Sequence, residues 1–104
     1  MEYEYYDYKE TLYIEVEEYY NGNTALILYT EEGEPFADLT VNLDILMPGY
    51  AFIDTNNLSG AKKLMSKYKL GKPTGTTRQS GFCEYPLYEL NMKNIKKYKF
   101  PEEE

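Results

Sequence analysis

The sequence predicts an α+β domain, an antiparallel sheet of about five strands with one main helix packed on one face. Three observations predict it. Residues 11–20 alternate apolar and polar side chains with a period of two. Turn-forming residues cluster at Asn21-Gly22-Asn23 and again at Glu31-Glu32-Gly33-Glu34-Pro35. Past Asn57 the apolar spacing changes to that of a helix.

In chain order, Leu12, Ile14 and Val16 alternate with Tyr13, Glu15 and Glu17, the pattern of a half-buried strand. Asn21-Gly22-Asn23 tolerates positive φ and marks a hairpin. Thr24 to Thr30 is apolar on both faces, which suits a central strand. Phe36 to Leu43 alternates again, with Ala37, Leu39, Val41 and Leu43 on one side, so three antiparallel strands are expected. Pro48-Gly49 marks a loop, and Tyr50 to Asp54 a short strand. Leu58, Ala61, Leu64, Met65 and Tyr68 then share one face of a helix, and Lys62, Lys63, Lys67 and Lys69 occupy the others. Asn57 or Ser59 is placed to cap its start, Gly71 to take the left-handed position at its end, and Pro73 to stop it. Thr74 to Gly81 reads as a polar loop, and Phe82 to Leu90 as a strand in which Pro86 calls for an edge position or a bulge. Asn91 to Phe100 could form a last strand or one helical turn.

A chain of 104 residues has material for one core, so residues 1–104 are expected to form one domain. Residues 1–10, acidic and tyrosine-rich, resemble the mobile ends of many domains, and 101–104 form an acidic tail. The single Cys83 cannot form an internal disulfide, the start MEYEYYDYKE lacks the basic and apolar regions of a signal peptide, and no run is long enough to cross a bilayer. A cytoplasmic protein without a membrane partner is expected.

The formal net charge is −7. Direct binding to nucleic acid draws its affinity from Lys and Arg, so it is not expected here. The charge is unevenly spread. Residues 1–44 hold twelve acids and one base, Lys9, whereas residues 45–104 hold six acids and ten bases. There are thirteen tyrosines and no tryptophan, and seven of the tyrosines fall within the first twenty residues.

Catalytic chemistry is sparse. Without histidine there is no Ser-His or Cys-His nucleophile and almost no route to a zinc site. No phosphate-binding loop, dinucleotide fingerprint or EF-hand spacing is present. The chain is therefore read as no enzyme, with no cofactor and no metal. Cys83, between Phe82 and Tyr85, reads as an inert thiol in a strand. The adjacent carboxylates Glu17-Glu18 and Glu31-Glu32 would point to opposite faces of a strand and so form a solvated surface rather than a cation site. Asp54 to Asn57 ends a strand and starts a helix, a setting where such residues cap and turn. The alternative is a small polar site made of Asp54, Asn56 and Asn57 with Arg78 and Ser80.

Four stretches in order carry a resemblance: Gly22-Asn23-Thr24-Ala25; Leu39-Thr40-Val41-Asn42-Leu43; Ala51-Phe52-Ile53-Asp54-Thr55-Asn56-Asn57; and Ser80-Gly81 with Cys83 and Tyr85-Pro86-Leu87-Tyr88. Together they resemble a small bacterial family of unknown function whose members often sit on mobile elements and phages. The resemblance runs from Gly22 to Leu90, leaves out the tyrosine-rich start and brings no site residues with it. It implies a setting in which small acidic proteins that disarm host defences, anti-CRISPR proteins among them, are common.

The reading that joins charge to setting is an acidic inhibitor. It would mimic nucleic acid and occupy the nucleic-acid-binding surface of a basic host protein such as a CRISPR effector nuclease or a restriction enzyme. The contact residues expected are Glu2, Tyr3, Glu4, Tyr5, Tyr6, Asp7, Tyr8, Glu15, Glu17, Glu18, Tyr19, Tyr20, Glu31, Glu32 and Glu34. Glu15 and Glu17 would lie about 6.6 to 6.8 Å apart on a strand, close to the phosphate spacing of one nucleic-acid strand. Two alternatives stand beside it. One is an interaction module, monomeric or homodimeric, in which the acidic half of one copy meets the basic half of another. The other is a small-ligand binder or enzyme at the Asp54–Asn57 corner.

Overall fold

The strands assemble into two four-stranded antiparallel sheets rather than one of five. The computed structural model describes residues 1–101. The first sheet has the order β1 (Glu2–Tyr5), β2 (Tyr8–Glu18), β3 (Thr24–Thr30), β4 (Pro35–Asp38). The second has the order β5 (Thr40–Val41), β6 (Tyr50–Ile53), β8 (Cys83–Leu90), β7 (Gly71–Ser80). Helix α1 (Ala61–Lys67), the single turn α2 (Met92–Ile95) and a 3-10 turn at Lys96–Tyr98 complete an α+β fold in which both helices are small. The acidic tail expected over 101–104 lies, apart from Pro101, outside the described residues.

Leu39 explains the second sheet. The alternation from Phe36 to Leu43 predicts one strand, but the chain bends at Leu39. Its N–H donates to the Leu26 carbonyl of β3 at 2.9 Å, and its carbonyl accepts from the N–H of Asp54, just past β6, at 2.9 Å. One residue therefore bonds to both sheets. Thr40 strengthens the seam, its Oγ1 accepting from the Leu26 N–H at 3.1 Å. Leu12 and Ile14 of β2, Leu26 and Leu28 of β3, Leu64 and Met65 of α1, and Ile53, Tyr88 and Leu90 of the second sheet belong with Leu39 to one buried cluster.

The first ten residues are not a loose end. β1 pairs with β2 from Glu2↔Thr11 to Tyr5↔Tyr8, and Tyr3 is buried in the core. Its ring meets Phe36 edge-on at 5.4 Å, and its hydroxyl donates to the Ser59 carbonyl at 2.6 Å. A single buried aromatic anchors a segment whose average composition is that of a mobile tail. Past β1, the free edge of β2 is met by a parallel bridge from Ile14 to Lys99. Residues 91–100 thus contain both a helical turn and a strand-like contact.

Helix α1 is shorter than its apolar spacing suggests. It starts after Gly60, at φ +78, so that a residue without a side chain holds the cap position; neither Asn57, which donates its amide to Asp54, nor Ser59 caps the helix. At its end, Leu70 N–H donates to Met65 O at 2.9 Å and Lys69 N–H to Ser66 O at 3.3 Å. These two bonds define a Schellman motif, with Leu70 and Met65 packed as its hydrophobic pair. The left-handed residue is therefore Lys69, at φ +52, and not Gly71. Gly71 serves a different need: a Cβ there would lie 2.7 Å from the Glu89 carbonyl oxygen, inside the β7–β8 ladder. A side chain in the left-handed region costs about 1–2 kcal/mol, part of which glycine returns as unfolded-chain entropy, so Lys69→Gly is expected to stabilise the fold by roughly 0.5–1 kcal/mol. The measurement is a higher urea midpoint at unchanged slope; a lower midpoint would refute the assignment.

Thr74 to Gly81, expected as a loop, is mostly strand β7, turned into β8 by Gly81 at φ +62 as the first residue of a two-residue hairpin. Pro86 lies past the last β6–β8 pair, Phe52↔Leu87, and faces Thr77 where the β7 register has shifted. The irregularity that proline calls for thus falls on the neighbouring strand. Among the described residues no helix is long and apolar enough to cross a membrane.

Candidate protein-interaction face

Strand parity decides which carboxylates meet. In β2, Leu12 and Ile14 point into the core, so Lys9, Thr11, Tyr13, Glu15 and Glu17 point away from it. Register adds their neighbours. Glu4 lies opposite Lys9 and Glu2 opposite Thr11, while Ile27 lies between Glu15 on one side and Asp38 on the other. Glu2, Glu4, Glu15, Glu17 and Asp38 therefore share the solvent face of the first sheet. The β3–β4 turn brings Glu31 and Glu32 to a shallow depression shared with Glu2, Lys9 and Glu10.

Little compensates this charge internally. Among the described residues there are two ion pairs, Lys9–Glu4 at 3.7 Å and Arg78–Asp44 at 2.9 Å. None of Glu15, Glu17 and Asp38 forms an ion pair with a lysine or arginine of the described residues. The Lys9–Glu4 pair is largely exposed and contributes at most about 1 kcal/mol.

Not every expected contact residue belongs here. Glu18 has the opposite parity and sits at the end of β2, and Glu34 closes the β3–β4 turn, its carbonyl accepting from the Thr30 N–H. Tyr3 is core. Tyr19 is held by a 2.9 Å hydrogen bond between its hydroxyl and Thr40 Oγ1, and burial raises its pKa. Tyr5, Tyr6, Tyr8 and Tyr20 are exposed, Tyr6 at 89% and Tyr20 at 98%. The Tyr8 hydroxyl donates to Glu10 Oε2 at 2.7 Å, a bond that raises its pKa, and its ring stacks on Phe36 at 6.4 Å. Tyr6 and Asp7 form the tip of the β1–β2 hairpin, with Tyr6 at φ +54 and its ring edge-on to Tyr5 at 4.6 Å.

The small polar site does not assemble. Asp54 Oδ1 accepts the Asn57 N–H at 3.1 Å and Oδ2 the Asn57 side-chain amide at 3.0 Å, which closes a turn. Asn56 donates to the Glu84 carbonyl at 3.1 Å, Arg78 is drawn to Asp44, and Ser80 faces Cys83 at the start of the β7–β8 hairpin. Asp54, Asn56 and Arg78 thus spend their polar groups on separate structural bonds rather than on a common site.

Two residues escaped the sequence reading. Asp38 joins the acidic face only through its register with Ile27. Asn23 reads as a turn residue but is buried, its amide donating to Asn42 Oδ1 at 2.9 Å and to the Asp44 carbonyl, and its Oδ1 accepting the Leu46 N–H at 2.9 Å. The stretches Gly22–Ala25 and Leu39–Leu43 are thereby tied together, so part of the motif pattern has a structural basis. No curated protein and no solved structure matches the chain significantly. A family model described as a domain of unknown function (DUF4313) matches residues 13–103, most of the sequence, and the chain belongs to that family.

Proposed function

We propose that this chain is a non-catalytic binding protein whose acidic sheet face covers a basic, nucleic-acid-binding surface of another protein and keeps nucleic acid off it. The observation that carries this reading is the alignment of Glu2, Glu15, Glu17 and Asp38 on one face, without a lysine or arginine paired to any of them among the described residues. Carboxylates fixed on strands are held at spacings close to those of phosphates and need little ordering on binding. Their field speeds encounter more than it deepens affinity, and Tyr20, 98% exposed just past the end of β2, supplies contact area that salt does not screen, whereas Tyr5 and Tyr8 lie on the opposite side of the sheet. In the setting implied by the sequence resemblance, the protein covered is a host defence nuclease of CRISPR-effector or restriction type, met in the cytoplasm.

The test is a cleavage assay on a panel of such nucleases with the chain added. Inhibition of at least one is expected, weakening as salt rises. The triple variant Glu15→Gln, Glu17→Gln, Asp38→Asn is expected to lose potency roughly tenfold or more. Point variants are preferred to deletion of residues 1–10, which would strip Tyr3 from the core. A triple variant as potent as the parent, or a panel without inhibition, would refute the reading.

A further inference from the structure

A groove runs between the C-terminal end of α1, the start of β7 and α2. It is about 1020 Å³ in volume and lined by Lys62, Lys69 and Lys72, with Glu89 as its one acid among the described residues. Lys72, Pro73 and Glu89 also line a second depression of about 650 Å³ walled in part by Ile45 and Met47, which are 79% and 68% exposed. None of the three lysines takes part in an ion pair among the described residues. A surface that is cationic along one stretch and apolar along the next fits a segment carrying carboxylates and aromatic rings together.

The chain itself carries such a segment. The tip of the β1–β2 hairpin presents Tyr5 and Tyr6 beside Glu4 and Asp7, all exposed. Tyr6 keeps a left-handed backbone at a cost of about 1–2 kcal/mol, and within its own chain its ring meets only Tyr5 among aromatic rings. The turn itself calls for a positive φ at this position, as it does at Gly81; what is unusual is that it is occupied by a tyrosine left 89% exposed rather than by glycine. We propose that the hairpin tip of one copy docks into this groove of a second copy. Tyr6 packs on Met47 and Ile45, a contact favoured by the methionine sulfur as well as by apolar area. Asp7 faces the lysines, and Glu4 joins it on exchanging its exposed pairing with Lys9 for them. The two surfaces differ, so the contact is head-to-tail and adds copies in a row unless a ring closes. A hairpin tip buries little area, which places the contact among weak, transient interfaces. Neither a target nor Glu15 and Glu17 enter the argument, so it stands or falls apart from the proposed function.

Sedimentation velocity of the full chain tests it. Association that grows with concentration at low salt and recedes at high salt is expected. A tip variant (Tyr6→Ser, Asp7→Lys) and a groove variant (Lys62→Glu, Lys72→Glu) should each associate roughly tenfold more weakly or worse. All four positions are exposed, and unchanged circular dichroism and urea midpoints would establish that both variants fold. The decisive sample is their equimolar mixture. The tip variant keeps an intact groove and the groove variant an intact tip, so the mixture should form a one-to-one complex that grows no further. A wild-type chain monomeric at every concentration overturns the proposal and leaves the groove to an acidic, aromatic segment of a different protein. Association untouched by either variant, or a mixture no larger than its parts, overturns it as well.

Discussion

Leu39→Ala is expected to lower the unfolding free energy by about 3–5 kcal/mol, the upper part of the range for truncating a buried leucine. Three features place it there. The side chain is fully buried, it sits where both sheets contribute to the core, and the backbone on either side is held. The Leu39 N–H is bonded to Leu26 and its carbonyl to Asp54, and both bonds survive the substitution. They keep the bend in place, so the surroundings have little freedom to collapse into the space left behind. A domain of this size typically has about 5–15 kcal/mol in total, so the variant would be partly unfolded at modest urea. Chemical denaturation followed by far-ultraviolet circular dichroism is the measurement. A loss below about 1.5 kcal/mol, the range of a tolerated volume-conserving swap, would show that Leu39 is not the seam. Leu39→Met serves as the control that should stay within that smaller loss.

The same residue shows how far the amino-acid pattern can be read. Ala37, Leu39 and Val41 keep a period of two straight through the bend, because a strand that changes sheets need not change which side chains are apolar. Periodicity identifies strands β2 to β4 but not the sheet to which a residue bonds. β7 was unreadable for the opposite reason. Nearly every residue from Gly71 to Ser80 is exposed, so no alternation marks it, and its strand geometry comes from β8 across the hairpin. Tyr3 was hidden by its neighbours, since one buried ring among acids leaves the local average that of a disordered tail. Parity alone puts Glu15 and Glu17 together. Asp38 required the β3–β4 register, and the pairing of Arg78 with Asp44 spans 34 residues that no local pattern connects.

Asn23→Ala is expected to cost about 1–3 kcal/mol, because it leaves the part-buried Leu46 N–H and Asp44 carbonyl without partners rather than removing a matched pair. The Asn23 side chain spends both of its ends on residues 42–46, donating to Asn42 and to the Asp44 carbonyl and accepting from Leu46. The other tether of this segment is the Arg78–Asp44 pair, about half exposed on both sides and worth at most about 1 kcal/mol. The amide therefore dominates. Asn23→Asp separates hydrogen bonding from volume. A carboxylate still accepts from Leu46, but its second oxygen would face the acceptors Asn42 Oδ1 and Asp44 O. At neutral pH the Asp variant should be at least as unstable as the Ala variant. Facing acceptors while buried, the new carboxyl has its folded-state pKa raised, so the penalty is present above the unfolded value of about 3.9 and is relieved as pH falls and the group gains a proton to donate. Urea midpoints of parent and Asp variant should converge on acidification, and a gap that widens would exclude this arrangement. Residues 42–46 also position Ile45 beside Met47 at the apolar end of the lysine-lined groove. Loss of the Asn23 clamp should therefore speed amide exchange at Leu46 and weaken self-association together, although Asn23 lines neither surface.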